Sequence, residues 1–181
     1  ILFASRLVWE KNIQTLIHIY QHLAEENKDY NLIIAGDGPA KIVAENQMPN
    51  AIFLGKLAHG ELAKIYASTD VFVFPSTSET YGNVVIEAMA AGLPCVIANG
   101  GGSANLIQHY QTGFKCEPNN AQEYVYFIHK IISNNTLREK IQQAALRYVN
   151  SLNWANLTDQ YFKEVQELSP SKQPAFSWAT Q

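Results

Sequence analysis

The chain has 181 residues, enough for one α/β domain with an ample core, and 47% of them are hydrophobic. Its net charge of −3 gives no basic surface of the kind that nucleic acids select, so we expect no nucleic-acid partner. No apolar run reaches membrane-spanning length, and no signal-peptide pattern opens the sequence. Cys95 and Cys116 lie in apolar segments and are predicted to be buried thiols.

Short apolar segments alternate with helical patterns along the whole chain. Strands are predicted at residues 1–4, 31–35, 51–54, 71–74, 95–98 and 114–116. Helical periodicity follows Asn12, resumes after the turn at residues 36–39, and then covers residues 61–67, 84–91, 122–132, 137–149 and 154–167. We therefore predict one domain over residues 1–168 and a loosely held tail over 169–181. Because the chain starts inside a strand and without a methionine, we expect it to be a piece of a larger protein.

Six consecutive βα units predict a doubly wound, Rossmann-like α/β fold with a six-stranded parallel sheet. In the usual strand order, 3-2-1-4-5-6, the winding reverses between strands one and four, and ligands bind above the carboxyl ends of the strands at that point. The loops that leave those two strands, residues 5–11 and 75–82, are also the most polar loops of the chain. Pattern and topology therefore predict one site there.

The loop after the fourth strand opens a helix and holds two spaced carboxylates. Asn83 is predicted to be the N-cap of a helix that Gly92 and Pro94 end. Glu79 lies in the loop, and Glu87 lies eight residues later among apolar helix residues, where an unpaired charge is expensive. A helix that starts in a glycine-containing loop presents free backbone N–H groups to an anion.

The charges of the two loops suit a nucleotide-sugar. Arg6 and Lys11, with the N–H groups of residues 82–84, could hold a diphosphate, while Glu79 and Glu87 could accept from sugar hydroxyls. A dinucleotide is disfavoured because the first βα turn lacks G-x-G-x-x-G, and no G-x-x-x-x-G-K-[ST] loop occurs. No Asp-x-Asp pair offers ligands for a metal-clamped diphosphate. The alternative is that both cations are ordinary surface charges.

At these residues the sequence resembles the C-terminal, donor-binding domain of retaining glycosyltransferases with the GT-B fold, in group one, also called family four. The resemblance runs from Leu2 to about Phe162, and its strongest part is the paired-glutamate motif from Glu79 to Glu87. Further matching segments, in the family's order, are residues 4–12, 35–39, 53–55, 93–96 and 112–114.

The resemblance implies a role for each site residue. Arg6 and Lys11 would hold the leaving diphosphate, Glu79 would lie at the transferred sugar, and these three would be the catalytic residues. Glu87 would accept from the ribose hydroxyls, and Leu57 would lie against the base. The remaining donor-binding residues would be Thr80, Tyr81, Gly82, Asn83 and Val84. No cofactor or metal is implied beyond the nucleoside-diphosphate sugar that serves as donor.

The resemblance also implies partners that the sequence does not contain. An N-terminal domain would bind the acceptor, and a cytoplasmic enzyme would meet the inner membrane surface through that domain. One departure is Asn105, which stands where the family has a glutamate after its glycine pair. It leaves open a nucleotide-sugar-binding module without transfer activity, and a GT-B-like epimerase or phosphorylase is a further alternative. The sugar, the base and the acceptor are not fixed by the sequence.

Overall fold

The structure is a computed structural model that describes residues 1–26, 30–152, 158–159 and 161–165. Its strands are β1 (Leu2–Ala4), β2 (Ile33–Ala35), β3 (Ile52–Gly55), β4 (Phe72–Phe74), β5 (Cys95–Ala98) and β6 (Phe114–Cys116). Its helices are α1 (Ile13–Glu25), α2 (Lys41–Gln47), α3 (His59–Ala67), α4 (Asn83–Ala90), α5 (Ala121–Ile132) and α6 (Asn135–Ser151), with 3-10 turns at Trp9–Lys11 and Gly102–Leu106. All six predicted strands are confirmed, with ends that shift by two residues at most.

The strands form one six-stranded sheet in the order β3-β2-β1-β4-β5-β6, and every neighbouring pair is parallel. This is the predicted order. Leu2 of β1 is in register with Ile33 on one side and with Phe72 on the other, so β1 and β4 are neighbours at the centre. The direction of winding reverses between these two strands, as the sequence predicted.

The core lies on both faces of the sheet because the central strands are apolar at every position. β4 and β5 are fully buried along their lengths, which explains why their sequences are continuous apolar runs rather than alternating ones. The rings of Phe3, Phe72 and Phe74 stack across the two central strands. Helix α1 packs against α2 and α5, and α3 packs against α4. Cys95 and Cys116 are buried and free, as predicted, and burial raises the pKa of both thiols.

The chain divides into two compact units, residues 1–149 and 150–181. The first holds the sheet and its helices. In the second, residues 158–159 and 161–165 are helical, which agrees with part of the helix predicted at 154–167. The predicted tail, 169–181, and the boundary at 168 lie outside the described residues. Among the residues that the structure describes, no helix has the length and apolar character needed to cross a bilayer.

Candidate functional site

The loops that follow β1 and β4 meet at the carboxyl ends of these two central strands, and Asn12 joins them. Its side-chain amide donates to the carbonyl oxygen of Pro75, 3.2 Å away, and to that of Pro118, 3.0 Å away. Asn12 precedes α1 with a left-handed backbone (φ 56°); its side-chain oxygen accepts from the Thr15 hydroxyl at 2.9 Å but from no backbone N–H of the helix. The prediction of a helix start at this residue is confirmed, but the side chain ties three loops together instead of capping.

Lys11 and Glu79 form the tightest ion pair of the site. The Lys11 Nζ lies 2.7 Å from Glu79 Oε1, and only 7% of the lysine side chain is exposed. The same ammonium donates to the Ser78 hydroxyl at 3.0 Å. The sequence predicted that both residues belong to one site; the structure brings them into direct contact across 68 positions of the chain.

The serines of the second loop support this pair. Ser76 is fully buried, and its hydroxyl lies 3.2 Å from that of Ser78, which in turn accepts from Lys11. A buried ammonium is tolerated only when its N–H groups have partners, because removing it from water costs several kcal/mol. Ser78 was not among the predicted site residues. Its position one residue before the glutamate was the only signal that could have identified it.

Arg6 pairs with a different glutamate, Glu10. Its side chain is 71% exposed and donates to Glu10 four residues along the chain, at 3.1 Å. An exposed pair of this kind is worth roughly 0.2–1 kcal/mol, so it leaves the guanidinium free to change partners. The structure therefore shows Arg6 exposed and paired with Glu10, and the joint cradle with Lys11 stays a prediction.

The loop after β4 rests on the glycine run at 101–102, where there is no room for a side chain. The Gly102 amide donates to the Glu79 carbonyl oxygen at 2.7 Å. A Cβ atom at Gly102 would lie 1.8 Å from the Thr80 carbonyl oxygen, and one at Gly101 would lie 2.2 Å from that of Thr77. This close backbone packing fixes the height of Glu79 and Thr80 above the sheet.

Helix α4 begins at this loop, with Gly82 as its N-cap. Gly82 has a left-handed backbone (φ 96°), and a Cβ there would lie 2.7 Å from Cβ of Ser103. The prediction that Asn83 caps the helix is wrong: Asn83 is the first helical residue, because the tight approach of Ser103 requires glycine at the cap. The amides of Val85 and Ile86 bond to the Gly82 carbonyl oxygen, while those of Asn83 and Val84, as in any first helical turn, have no acceptor within the helix.

Thr80 and Tyr81 complete the rim of the loop, and both are exposed. The nearby hydroxyl of Ser103 is fully buried and has no hydrogen-bond partner within the described residues. Asn105, the residue that departs from the family pattern, is exposed on the 3-10 turn of Gly102–Leu106. The structure therefore leaves the Asn105 amide open to solvent beside the site's glycine run.

Glu87 lies one turn inside α4, beside a groove between α3 and α4. The groove has a volume of about 470 Å³ and mostly apolar walls, formed by residues that include Leu62, Ala90 and Ala91. The hydroxyl of Tyr66 on α3 donates to Glu87 Oε2 at 3.3 Å. Burial raises the pKa of the Tyr66 phenol, and the Glu87 charge and hydrogen bond raise it further, so the phenol is a donor at neutral pH.

Tyr66 could not be identified from the sequence because it fits the apolar pattern of α3. Leu57, predicted to lie against a base, is half-buried after β3 and packs against the core.

Within the described residues, no group of three or more His, Cys, Asp or Glu side chains could hold a metal ion.

Comparison with known proteins agrees with this geometry. The sequence profile of the glycosyl transferases group 1 family matches residues 1–148. The chain is 27% identical to Alr3699/HepE from Anabaena, solved in complex with UDP-glucose, with a TM-score of 0.74 over 93% of this chain and 49% of that one. The fold is that of one Rossmann-like half of a GT-B glycosyltransferase. The chain belongs to the glycosyl transferases group 1 family.

Curated relatives share most of this chain but are much longer. The sulfoquinovosyl transferase SQD2 of Arabidopsis thaliana is 36% identical over 164 residues, 87% of this chain and 31% of the relative. A GDP-mannose-dependent alpha-mannosyltransferase of Corynebacterium glutamicum is 30% identical over 92% of this chain and 39% of its own length. The chain therefore spans about three tenths of the first relative and two fifths of the second.

Proposed function

We propose that the chain is the donor-binding domain of a retaining glycosyltransferase that moves a sugar from a nucleoside-diphosphate sugar to an acceptor. The observation that carries the proposal is the buried Lys11 ammonium at the carboxyl ends of β1 and β4, 2.7 Å from the first glutamate of the pair. A buried cation at the switch point of a doubly wound sheet suits an anionic ligand. Membership of the glycosyl transferases group 1 family supports the same function.

The diphosphate would bind between the cations and the start of α4. Lys11 offers a fixed ammonium, and the N–H groups of Asn83 and Val84 point out of the first helical turn. Arg6 would exchange Glu10 for a phosphate oxygen, since its present pair is exposed. These groups stabilise the charge that grows on the leaving oxygen, so the proposal includes no metal ion.

The two glutamates would act on the two sugars of the donor. Glu79 would lie at the transferred sugar, and Glu87 would accept from the ribose hydroxyls, with the base near Leu57 and the groove between α3 and α4. During transfer the bond from the anomeric carbon to the diphosphate oxygen breaks, and its electron pair leaves with the diphosphate. The acceptor hydroxyl forms the new bond on the same face, and the released diphosphate takes up its proton.

The relatives leave the acceptor open. The named ones include a sulfoquinovosyl transferase and a mannosyltransferase, and the chain matches less than half the length of each. We propose that an N-terminal domain supplies the acceptor site and that the acceptor is a polysaccharide, a lipid or a small sugar. Cytoplasmic location and contact with a membrane surface through that domain stay predictions.

The proposal is tested by calorimetric titration of the protein with uridine, guanosine and adenosine diphosphates, in buffer that contains a chelator. We expect one of the three to bind, and the corresponding nucleotide-sugars to protect the protein against thermal unfolding. Failure to bind any of them, or binding that requires a divalent metal, would contradict the proposal.

A second assay separates transfer from the alternatives. The complete protein is incubated with the nucleotide-sugar alone and with added acceptors, and the products are analysed by NMR. An isomerised donor without acceptor would indicate an epimerase. Binding without any transfer would favour a nucleotide-sugar-binding module, an alternative supported by Asn105, which replaces the family's charged residue with an exposed amide.

A further inference from the structure

The groove between α3 and α4 contains one polar interaction that the family resemblance did not include. Its walls are formed mainly by Leu62, Ala63, Ala90 and Ala91, and the carboxylate of Glu87 reaches it from α4. The hydroxyl of Tyr66 donates to this carboxylate at 3.3 Å. In these apolar walls a carboxylate keeps a defined orientation only if a fixed group holds it.

Tyr66 is fixed by the core, not by the groove. The residue is 3% exposed, and its ring packs edge-on against Phe72 of β4, with the ring centroids 5.7 Å apart and the planes at 65°. The phenol has two side-chain torsions, and this contact restricts the ring from the strand side. Its hydroxyl is therefore a stationary donor, while Glu87, on a helix and with three side-chain torsions, is the movable partner.

We propose that Tyr66 is a positioning residue that orients Glu87 toward the ribose, so that the site distinguishes ribonucleotides from nucleotides without ribose hydroxyls. The proposal rests on the proposed function. The Tyr66 hydroxyl engages Oε2 of Glu87, and within the described residues Oε1 has no partner and can accept. A carboxylate has about four acceptor positions, so one phenol donor leaves enough for the vicinal 2′ and 3′ hydroxyls. Without the phenol, Glu87 spreads over several rotamers, and only part of them faces the ribose.

The test compares six ligands in calorimetric titrations: uridine, guanosine and adenosine diphosphates and the 2′,3′-dideoxy form of each. The wild type should bind a ribonucleotide more tightly than its dideoxy form. In Tyr66→Phe the affinity for that ribonucleotide should fall about three- to tenfold, the size of one net hydrogen bond, while the affinity for the dideoxy form should not change. Glu87→Gln should also remove the ribose preference, and adding Tyr66→Phe to it should change little more.

Tyr124→Phe is the matched control. Tyr124 on α5 is likewise buried, and its hydroxyl has no partner within the described residues, so its removal should leave all six affinities unchanged. The melting temperature of each variant shows whether a loss of affinity reflects unfolding.

Each remaining outcome has a distinct meaning. If Tyr66→Phe weakens both members of a nucleotide pair equally, or neither, then the phenol only supports packing and the proposal is overturned. If the wild type binds nucleoside diphosphates without preferring the ribo form, this proposal and the assignment of Glu87 to the ribose fail, while the donor-binding function stands. A wild type that binds none of the six overturns both.

Discussion

Two regions of the site hold their glutamates in different ways. At the Lys11–Glu79 region, two opposite charges lie 2.7 Å apart, and the lysine is nearly buried. At the groove between α3 and α4, a neutral phenol donates to Glu87 at 3.3 Å beside mostly apolar walls. In the first region the two charges already neutralise each other, so an anionic ligand of Lys11 has to displace the Glu79 carboxylate. In the second region the Glu87 carboxylate can still accept hydrogen bonds, so a ligand can bind without breaking the bond from Tyr66.

This difference predicts different consequences when a residue is removed. Breaking a buried ion pair leaves the remaining charge without its partner and typically costs about 3–5 kcal/mol. Removing a neutral donor from a carboxylate that keeps access to water costs less, about 1–2 kcal/mol. The Lys11–Glu79 region should therefore govern both folding and chemistry, while the groove should govern the choice of nucleotide.

The largest effect is expected for Lys11→Ala. Turnover of the complete enzyme should fall by about 10²–10³-fold, because one preorganised donor to the leaving group is lost. The melting temperature should fall as well, because Glu79 loses its partner at 2.7 Å. Steady-state kinetics and thermal unfolding of the same variant measure the two effects.

Arg6→Ala is the comparison that sharpens this prediction. Turnover should fall by about 10²-fold, at the lower end of the same range, but the melting temperature should not change, because the Arg6–Glu10 pair is exposed. Equal destabilisation by the two substitutions would contradict the distinction between a buried cation and an exposed one. Unchanged turnover in Arg6→Ala would show that this residue does not reach the diphosphate.

A smaller effect is expected when the loop that carries Glu79 is displaced. Gly102→Ala places a methyl group 1.8 Å from the Thr80 carbonyl oxygen, so the backbone has to move. The substitution should destabilise the protein by about 1–3 kcal/mol and weaken the binding of nucleoside diphosphates. Urea unfolding and calorimetric titration measure the two consequences.

Gly60→Ala provides the control for the glycine itself. Gly60 is in α3, and a Cβ atom there would meet no atom within 4 Å, so the substitution should be neutral or slightly stabilising. If Gly102→Ala were equally harmless, the close packing of the two loops could not be what sets the height of Glu79.

Most of the fold could be predicted from the sequence because the signals were repeated and local. Buried strands such as β4 and β5 are continuous apolar runs, and six βα units fix a parallel sheet whose strand order then follows from known topology. That order also placed the loops of Lys11 and Glu79 together. The Lys11–Glu79 contact could thus be anticipated at the level of a site, although not as an ion pair.

The parts that the sequence did not predict depend on contacts between distant residues. Gly82 is the helix cap because Ser103, on another loop, leaves no space for a Cβ atom, and no local pattern contains that information. In the sequence, Tyr66 fits the apolar face of α3, and its contact with Glu87 arises only because α3 packs against α4. The pairing of Arg6 likewise depends on the position of the Glu10 carboxylate, which cannot be derived from the sequence.

The smallest expected effect is also the one that most directly tests the Lys11–Glu79 region. In the structure, the Glu79 carboxylate is paired with the Lys11 ammonium, the group that the proposed function assigns to the diphosphate. A diphosphate that binds to Lys11 therefore has to displace a carboxylate first. Glu79→Gln removes that competing charge but retains the shape of the side chain.

Free nucleoside diphosphate should therefore bind to Glu79→Gln about three- to tenfold more tightly than to the wild type, or roughly 1 kcal/mol, while turnover falls because the sugar loses its carboxylate. Glu45→Gln serves as the control, since Glu45 pairs with Lys41 on α2 at 3.8 Å, among the exposed residues of a helix. It should change neither quantity. Calorimetric titration of the two variants with the nucleoside diphosphate measures the change in affinity. Weaker binding of the nucleoside diphosphate to Glu79→Gln would contradict this expectation. It would mean that Glu79 orients Lys11 for the diphosphate and does not compete with the diphosphate for the ammonium.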